Sequence, residues 1–437
     1  MTYSEDNNRT IENIFSASVS NKAMKMAIIS ACFGVVSQYV VRESSIIILY
    51  ANKLGGSNFL TLLTTAMQPL SVALLIIPIA YIMEHTGKRA LMVPALVVSV
   101  FGGSIIAAAG FFPETARVLL VFGLVIYSLS VSIFVAGWFP LLQGIVPKQK
   151  RPVFFRNMRV SWQSFLSVFL LLSAVFVGRD APLGILQLII LFSALLMIGR
   201  ILAIRKIPEI PKQKYILSLK NSVGTTLRNR SLVRFSIYMF FLYLFSHATL
   251  PVSMMFTKLE LHAPDNYTVF LSTMITVGQI SGYFVGGNIL KRWSPKKLLL
   301  SANALFMLLN LLFLTVHRFN LFSAMWLSII VMLYGGCFAY STIGLSSEML
   351  SLAQPEALNM SMAICVAFYV SGQGLSRIIS GYLIDSGLIP EQWFLFGIQM
   401  SSYHGLFICY GVCLLLCFIL ITYIPKGRAE KAMFPQY

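Results

Sequence analysis

Charged residues are scarce in this chain, and acidic residues are the scarcest. Only 11% of the 437 residues are charged and 57% are hydrophobic, with 15 acidic side chains against 33 Lys and Arg. A water-soluble domain of this size needs far more charge to cover its surface. Several apolar runs reach the roughly 18 to 20 residues that span the hydrocarbon core of a bilayer. The sequence therefore predicts an all-α membrane protein.

Motifs of several other classes are also missing. The first 22 residues are polar, so we expect no cleavable signal peptide. The six cysteines form no CxxC pair and the five histidines are scattered, so we expect no metal site, no cofactor and no enzymatic activity. No GxxxxGK(S/T) loop points to ATP, and no separate basic domain would bind nucleic acid.

Counting apolar segments gives twelve predicted transmembrane helices, numbered 1 to 12 along the chain. The first six lie near 26–51, 58–83, 90–112, 116–146, 160–178 and 182–204. The second six lie near 233–257, 267–290, 297–316, 320–346, 358–384 and 401–424. The predicted fold is two pseudo-symmetric six-helix bundles.

Five predicted domains follow from these segments. They are a cytoplasmic N-terminal segment (1–25), an N-terminal bundle (26–204), a cytoplasmic linker (205–232), a C-terminal bundle (233–424) and a cytoplasmic tail (425–437). In the linker, Ile216, Leu219, Val223 and Leu227 have the spacing of an interfacial amphipathic helix. A plain solvated linker fits the same residues.

The distribution of Lys and Arg predicts the orientation. Nearly all of them fall at the two termini and in loops 2–3, 4–5, 6–7 and 8–9. The alternate loops hold Lys53, Arg117, Arg179, Lys258 and Arg318, and only Arg42 and Arg377 remain within helices. This asymmetry is the positive-inside signature. We therefore expect both termini in the cytoplasm, in a bacterial inner membrane or another plasma membrane.

Two loops repeat each other at nearly equal offsets. The stretch AYIMEHTGKR (80–89) in loop 2–3 corresponds to GNILKRWSPKK (287–297) in loop 8–9, and Pro147 corresponds to Pro355. These loops resemble the signature of the major facilitator superfamily. The resemblance implies a twelve-helix transporter with a substrate site between two halves. It also implies cytoplasmic gating roles for Glu84, Gly87, Lys88, Arg89 and Arg292, although Glu84 also fits a solvated loop carboxylate.

Charged residues inside a transmembrane helix cost roughly 2.5 to 3.5 kcal/mol on insertion scales, so they face a bundle interior or a wet cavity. The predicted examples are Arg42 and Glu43 on helix 1, His247 on helix 7 and Arg377 on helix 11. Superposing NKLGG (52–56) on TKLEL (257–261) aligns Arg42 with His247. In the superfamily, helices 1, 4, 7 and 10 line the central cavity. The repeat thus predicts that Arg42 and His247 face each other across it.

Arg42 suggests an anionic ligand, because a guanidinium stays charged and its planar fork matches carboxylate or phosphate. The stretch QYVVRES resembles the helix 1 motif of the organophosphate:phosphate antiporters, but YLFSHATLP on helix 7 lacks their second Arg. The alternative is an ion pair with a carboxylate on another helix. Glu43 is not the expected partner, because adjacent helical residues point about 100° apart.

Further polar residues complete the predicted site. Glu43 and His247 are candidate proton carriers, since carboxylates in poorly solvated cavities and imidazoles exchange protons near neutral pH; His247 also fits simple packing. Arg377 is expected to snorkel outward or to join Asp385 in an outer gate, and Glu348 to belong to the inner gate. Candidates for hydrogen bonds to the ligand are Gln143, Gln279 and Tyr340.

We predict a secondary active transporter that moves a small anionic organic solute by alternating access. A proton or sodium gradient, or a counter-substrate, would drive it. The alternative is a proton-coupled transporter of a neutral or cationic solute such as a sugar or drug, although helix 5 lacks the Gly-Pro motif of the superfamily's drug/proton antiporters. A receptor built on the same fold also stays open. The predicted partners are the substrate, the coupling ion and the lipid bilayer, and we expect a monomer.

Overall fold

The computed structural model describes residues 17–147, 150–209, 219–290, 292–353 and 358–422. Within these ranges, twelve helices are long and apolar enough to cross a membrane. Large apolar side chains such as Leu74, Val175 and Leu321 point outward and are largely exposed. Such an apolar surface is compatible with contact with lipid. Helices also satisfy their own backbone hydrogen bonds there. The predicted tail (425–437) lies outside the described residues.

The first half contains helices 1 to 6. Helix 1 has two parts, 1a (Ala17–Arg42) and 1b (Ser45–Lys53). The others are helix 2 (Asn58–Thr86), helix 3 (Lys88–Ala108, with a 3₁₀ turn at Ala109–Phe111), helix 4 (Ala116–Ile145), helix 5 (Arg151–Val177) and helix 6 (Leu183–Arg205). Helices 1a and 5 begin well before the predicted apolar segments, because helical hydrogen bonding continues into flanking polar residues that are adequate helix formers.

The second half contains helices 7 to 12, after a linker helix (Leu219–Arg228). Helix 7 also has two parts, 7a (Arg230–Ser246) and 7b (Thr249–Met255), followed by a π-turn (Phe256–Glu260). The others are helix 8 (Asp265–Ile289), helix 9 (Pro295–Leu312, with a 3₁₀ turn at Phe313–Thr315), helix 10 (Leu321–Leu352), helix 11 (Leu358–Asp385) and helix 12 (Ser402–Thr422). A hairpin of β1 (Gln392–Leu395) and β2 (Ile398–Ser401) joins the last two helices.

The linker helix takes up part of the predicted amphipathic stretch. Val223 is half-buried and Leu227 is exposed, whereas Thr226 is buried and its hydroxyl lies 3.4 Å from that of Ser361 on helix 11. The linker helix is therefore anchored through Thr226 rather than through an unbroken apolar face. Ile216 lies outside the described residues.

The two halves meet along two pairs of helices: helix 2 packs along helix 11, and helix 5 packs along helix 8. In the second pair, the hydroxyls of Ser167 and Thr276 lie 2.7 Å apart. We call the end of the bundle that carries Gly87 and Arg205 the linker side, and the end that carries Gly55 and Gly178 the distal side.

Glycines bring helices 8 and 10 into backbone contact. A Cβ added at Gly278 would overlap the carbonyl oxygen of Met332, and one at Gly282 would overlap the carbonyl oxygen of Gly336. This small-xxx-small arrangement lets two transmembrane backbones approach closely where lipid supplies no hydrophobic driving force. Gly287 on the same helix differs from Gly278 and Gly282, because a Cβ added at Gly287 would meet no atom within 4 Å.

We expect Gly282→Ala to lower the thermal unfolding temperature in detergent, because the added methyl group pushes helices 8 and 10 apart. Overpacking of this kind costs about 1–3 kcal/mol. Gly287→Ala is the matched control and should leave the unfolding temperature unchanged. Equal unfolding temperatures for the two variants would mean that the close approach of helices 8 and 10 is not required.

Candidate functional site

Helices 1 and 7 are interrupted at corresponding places. Helix 1a ends at Arg42 and helix 1b begins at Ser45, while helix 7a ends at Ser246 and helix 7b begins at Thr249. The interruptions therefore fall at Arg42 and next to His247, the two residues that the repeat aligns. An interrupted transmembrane helix frees backbone amides and carbonyls that its own ladder no longer satisfies.

The local sequence explains both interruptions. In helix 7b, Pro251 has no N–H and its ring would clash with the carbonyl four residues earlier, at His247. In helix 1, the Ser44 hydroxyl accepts a hydrogen bond from the Ile46 amide at 3.1 Å and so caps the start of helix 1b. Serine competes in this way for backbone groups that a continuous helix would use.

Helix 11 contacts both interruptions through two adjacent residues. The Ser376 hydroxyl accepts a hydrogen bond from the Ala248 amide at 3.1 Å. The Arg377 guanidinium donates from Nη1 to the carbonyl of Arg42 at 3.0 Å and to the carbonyl of Thr65 on helix 2. Arg377 is only 1% exposed. A residue of the second half thus satisfies the carboxyl end of helix 1a, where the helix dipole favours a positive charge.

A cluster of charges surrounds the interruption of helix 1. Arg42 Nη2 lies 2.9 Å from Glu43 Oε1, and Arg377 Nη2 lies 4.0 Å from the same oxygen. Gln373 Nε2 donates to it at 3.4 Å. The expectation that Arg42 and Glu43 do not face each other is wrong, because the helix ends at Arg42 and the helical angle no longer applies. Two guanidinium groups and one carboxylate leave the cluster with a formal excess of positive charge.

Several buried polar atoms on the surrounding helices have no hydrogen-bond partner within the described part of the chain. They are Gln38 Nε2, Tyr39 OH, Arg42 Nε, Gln68 Oε1, His247 Nε2 and Arg377 Nε. Leaving such an atom unsatisfied costs about 1–3 kcal/mol. Buried polar groups are normally satisfied by protein or ordered water, so this region is suited to a polar ligand or water. The Arg42 side chain is still 35% exposed.

His247 lies among aromatic rings. Its ring centroid is 4.5 Å from that of Tyr243, in a stacked arrangement, and 4.2 Å from that of Phe338, edge to face. The side chain is 4% exposed. This packing holds the imidazole in one orientation.

The structure does not bring all the predicted ligand residues to this cluster. Gln279 pairs with Gln163 across the helix 5–helix 8 interface, and the Tyr340 hydroxyl lies 2.7 Å from that of Ser301 on helix 9. Both are therefore engaged in contacts between helices. The side chain of Gln143 lies outside the described residues.

Arg377 and Asp385 do not form a common outer gate. Arg377 points into the protein, whereas Asp385 accepts hydrogen bonds at 2.8 Å from the Asn58 side chain and from the Phe59 amide. Asp385 therefore joins helix 11 to the start of helix 2 at the distal side. The alternative of a snorkelling Arg377 is also wrong, because Arg377 is buried and donates to the backbone carbonyls of Arg42 and Thr65 inside the protein.

Further contacts close the distal side. Asp265 is fully buried, and Lys258 Nζ lies 2.6 Å and Lys53 Nζ 3.6 Å from its carboxylate oxygens. These are the two lysines that the repeat superposes, so one carboxylate receives the corresponding lysine of each half. Lys53 also donates to Asp180 at 2.7 Å, and this hydrogen bond lowers the pKa of the exposed Asp180 carboxyl. Asp265 is not among the predicted site residues, because it lies at a predicted loop end.

At the linker side, the predicted gating loop is held by a residue that the sequence reasoning missed. The Glu209 carboxylate accepts hydrogen bonds from the amides of Lys88 at 2.5 Å and Arg89 at 3.2 Å, at the start of helix 3. Gly87 supplies the turn with φ +99°, a conformation that favours glycine. The acidic residue at a helix N-terminus is thus provided by the linker. The side chain of Glu84 lies outside the described residues.

The other two predicted gating residues lie elsewhere on the linker side. Arg292 is exposed in loop 8–9. Glu348 is 4% exposed near the end of helix 10.

Arg200 is a further buried charge that was counted as a loop residue. It lies on helix 6 and is 3% exposed; its Nε donates to the Ser30 carbonyl at 3.1 Å and its guanidinium carbon lies 4.2 Å from the centre of the Phe134 ring. A Cβ at Gly34 would overlap this guanidinium. Gly34 therefore provides the space into which Arg200 fits.

We expect Arg377→Met to destabilise the protein, because it leaves the carbonyls of Arg42 and Thr65 buried without this donor, at a cost of about 1–3 kcal/mol each. The stability of Arg377→Lys should lie between those of the wild type and Arg377→Met, since a point charge cannot reproduce the planar fork of the guanidinium. Thermal unfolding in detergent measures both. Arg117→Met is the matched control, an exposed arginine that also donates to a backbone carbonyl, that of Leu54. Equal unfolding temperatures for Arg377→Met and Arg117→Met would contradict the role of Arg377.

The comparisons with known proteins bear on this arrangement. No protein-family model matches the chain, and no curated protein matches its sequence. Solved structures do match: a POT family transporter in complex with a thioalcohol-conjugated peptide has a TM-score of 0.71 and 13% identity, covering 94% of this chain and 96% of that one. A variant of the nucleoside transporter NupG has 0.68 and 12%, covering 93% and 100%.

FucP in its outward conformation, described as a Major Facilitator Superfamily transporter, has a TM-score of 0.63 and 13% identity, covering 93% of this chain and 99% of that one. A second structure names FucP as the E. coli fucose:proton symporter. At these identities the likeness concerns the fold. The chain therefore has the fold of major facilitator superfamily transporters.

Proposed function

We propose that this chain is a secondary active transporter for a small organic anion, with its site at the interruptions of helices 1 and 7. The observation that carries the proposal is the Arg42–Glu43–Arg377 cluster. It has an excess positive charge, it lies between the two halves, and one guanidinium remains partly exposed. An anion would complete the hydrogen bonding of Arg42 without removing Glu43, because a guanidinium has five donors. Interrupted helices at matching positions are typical of transporter sites.

The transport cycle would be alternating access. By the positive-inside rule the linker side is cytoplasmic, and the distal contacts around Asp265 and Asp385 would hold the outer side closed. Opening that side would separate Lys53 from Asp265 and Asn58 from Asp385. The predicted gating residues of the linker side, including Glu84, Arg292 and Glu348, would serve the opposite closure.

The coupling ion would be a proton, with Glu43 as the carrier. Its carboxylate lies between two guanidinium groups and is 11% exposed, so a change in its protonation would alter the charge of the whole cluster. His247 is the second candidate carrier, aligned with Arg42 by the repeat. If sodium or a counter-substrate drives transport instead, that ion or solute, rather than a proton, would change the charge of the same cluster.

A second candidate is a proton-coupled transporter of a neutral solute such as a sugar. The observation that favours it is the Arg42–Glu43 ion pair, which neutralises the guanidinium within its own half. The similar structures include proteins named as a nucleoside transporter and a fucose:proton symporter. In this case Arg42 would orient Glu43 rather than bind the substrate.

The substrate test is thermal stabilisation of the purified protein by a panel of organic anions, sugars and cationic drugs. A ligand at a hundred times its Kd stabilises the folded state by about 2.7 kcal/mol. We expect stabilisation by an anion in the wild type and at least about tenfold weaker binding in Arg42→Gln, which loses a charge-assisted hydrogen bond. Arg318→Gln, an exposed distal arginine, is the control. Stabilisation by a sugar that persists in Arg42→Gln would favour the second candidate instead.

The coupling test uses proteoliposomes loaded at one pH and diluted into another. We expect the pH gradient to drive uptake in the wild type. Glu43→Gln should abolish that drive while exchange of labelled for unlabelled substrate continues, because the amide cannot release a proton. Glu391→Gln, an exposed carboxylate before the hairpin, is the control. Gradient-driven uptake that survives in Glu43→Gln would transfer the role to another group or ion.

A further inference from the structure

A cavity opens between the two halves on the linker-side part of the bundle. Its volume is about 100 Å³. Helices 2 and 4 of the first half and helix 11 of the second half line it, through side chains that include Ile76, Val135, Pro140, Ala363 and Val366. Apart from Lys88 and Tyr369, its lining residues carry no polar side chain.

The cavity begins next to the charged cluster. Gln373 donates to Glu43, and Tyr369, which lines the cavity, precedes Gln373 by one helical turn on helix 11. At 1.5 Å per residue the two lie about 6 Å apart along the helix axis. A ligand bound to Arg42 can therefore extend past Tyr369 into the apolar cavity.

The gating loop lines the far end of the cavity. Lys88, the first residue of helix 3, is the charged lining residue at that end, and its backbone amide is held by Glu209. From Tyr369 to Met362, the cavity follows helix 11 for about 10 Å. An occupant thus meets positive charge at the cluster and apolar side chains beyond it.

We infer that this cavity receives the uncharged part of the transported anion, so that the substrate class is a monocarboxylate with a single ring or a short branched alkyl group. The inference rests on the proposed function. Apolar cavities take up apolar groups of matching size: one of roughly 150 Å³ binds benzene, and this one is smaller, at about 100 Å³, and partly open. A polar solute of equal size would lose its hydrogen bonds to water there, which disfavours a sugar, or a second carboxylate in the apolar stretch between Tyr369 and Lys88.

The test compares benzoate with lactate as ligands of the full-length protein in detergent, by thermal stabilisation over a concentration series. In the wild type we expect benzoate to bind at least about tenfold more tightly than lactate, because only benzoate buries a ring. Val366→Phe fills the cavity and should remove most of this advantage while leaving lactate binding unchanged. Leu375→Phe, on the exposed face of the same helix, is the control.

A second variant guards against misfolding of the first. Ile76→Ala enlarges the cavity, and we expect it to improve the binding of 2-naphthoate relative to benzoate. Benzoate and lactate that bind equally, both lost in Arg42→Gln and both unaffected by the two cavity variants, would overturn this inference and leave the anion site in place. If neither benzoate nor lactate binds in an Arg42-dependent way, the proposed function is overturned, and the inference with it.

Discussion

The hydrogen bonds from Arg377 to the carbonyls of Arg42 and Thr65 are the interaction on which the centre of this protein depends. The guanidinium belongs to helix 11 of the second half, whereas both carbonyls belong to the first half. In a membrane interior no water replaces a lost donor, so an unsatisfied carbonyl there is costly. The interruption of helix 1 is thus stable because the other half supplies the missing donor.

This arrangement couples the shape of the interrupted helices to the position of the halves. Ser376 satisfies the amide of Ala248 within the second half, and the adjacent Arg377 reaches into the first. If the two halves rotate relative to each other, Ser376 and Ala248 would move together because both belong to the second half. The hydrogen bond from Arg377 to Arg42 would be strained because it joins the two halves. Under the proposed alternating access, the interruption of helix 1 would therefore be the one that responds to movement between the halves, and Glu43, which follows it directly, would change its surroundings at the same time.

The apolar runs of the sequence predicted the twelve helices. The repeat that superposes Lys53 on Lys258 predicted the equivalence of helices 1 and 7. The sequence could not predict that Arg42 pairs with Glu43, since the helix end that allows this depends on Ser44 capping and on Arg377 from elsewhere. Glu209 could not be predicted as a gating residue, because a single carboxylate in the linker belongs to no periodic pattern. The pairing of Tyr340 with Ser301 could not be predicted, because Ser301 lies on another helix.

A buried arginine is not in itself a ligand site, and Arg200 and Arg42 show why. Arg200 fits into the space left by Gly34, stacks on Phe134 and donates to a carbonyl, with 3% of its surface exposed. Its surroundings are those of a packed core. Arg42 ends a helix at the interface of the two halves and keeps 35% of its side chain accessible. The same residue type thus stabilises a helix contact at Arg200 and keeps an accessible side chain at Arg42, and the free space around each guanidinium makes the difference.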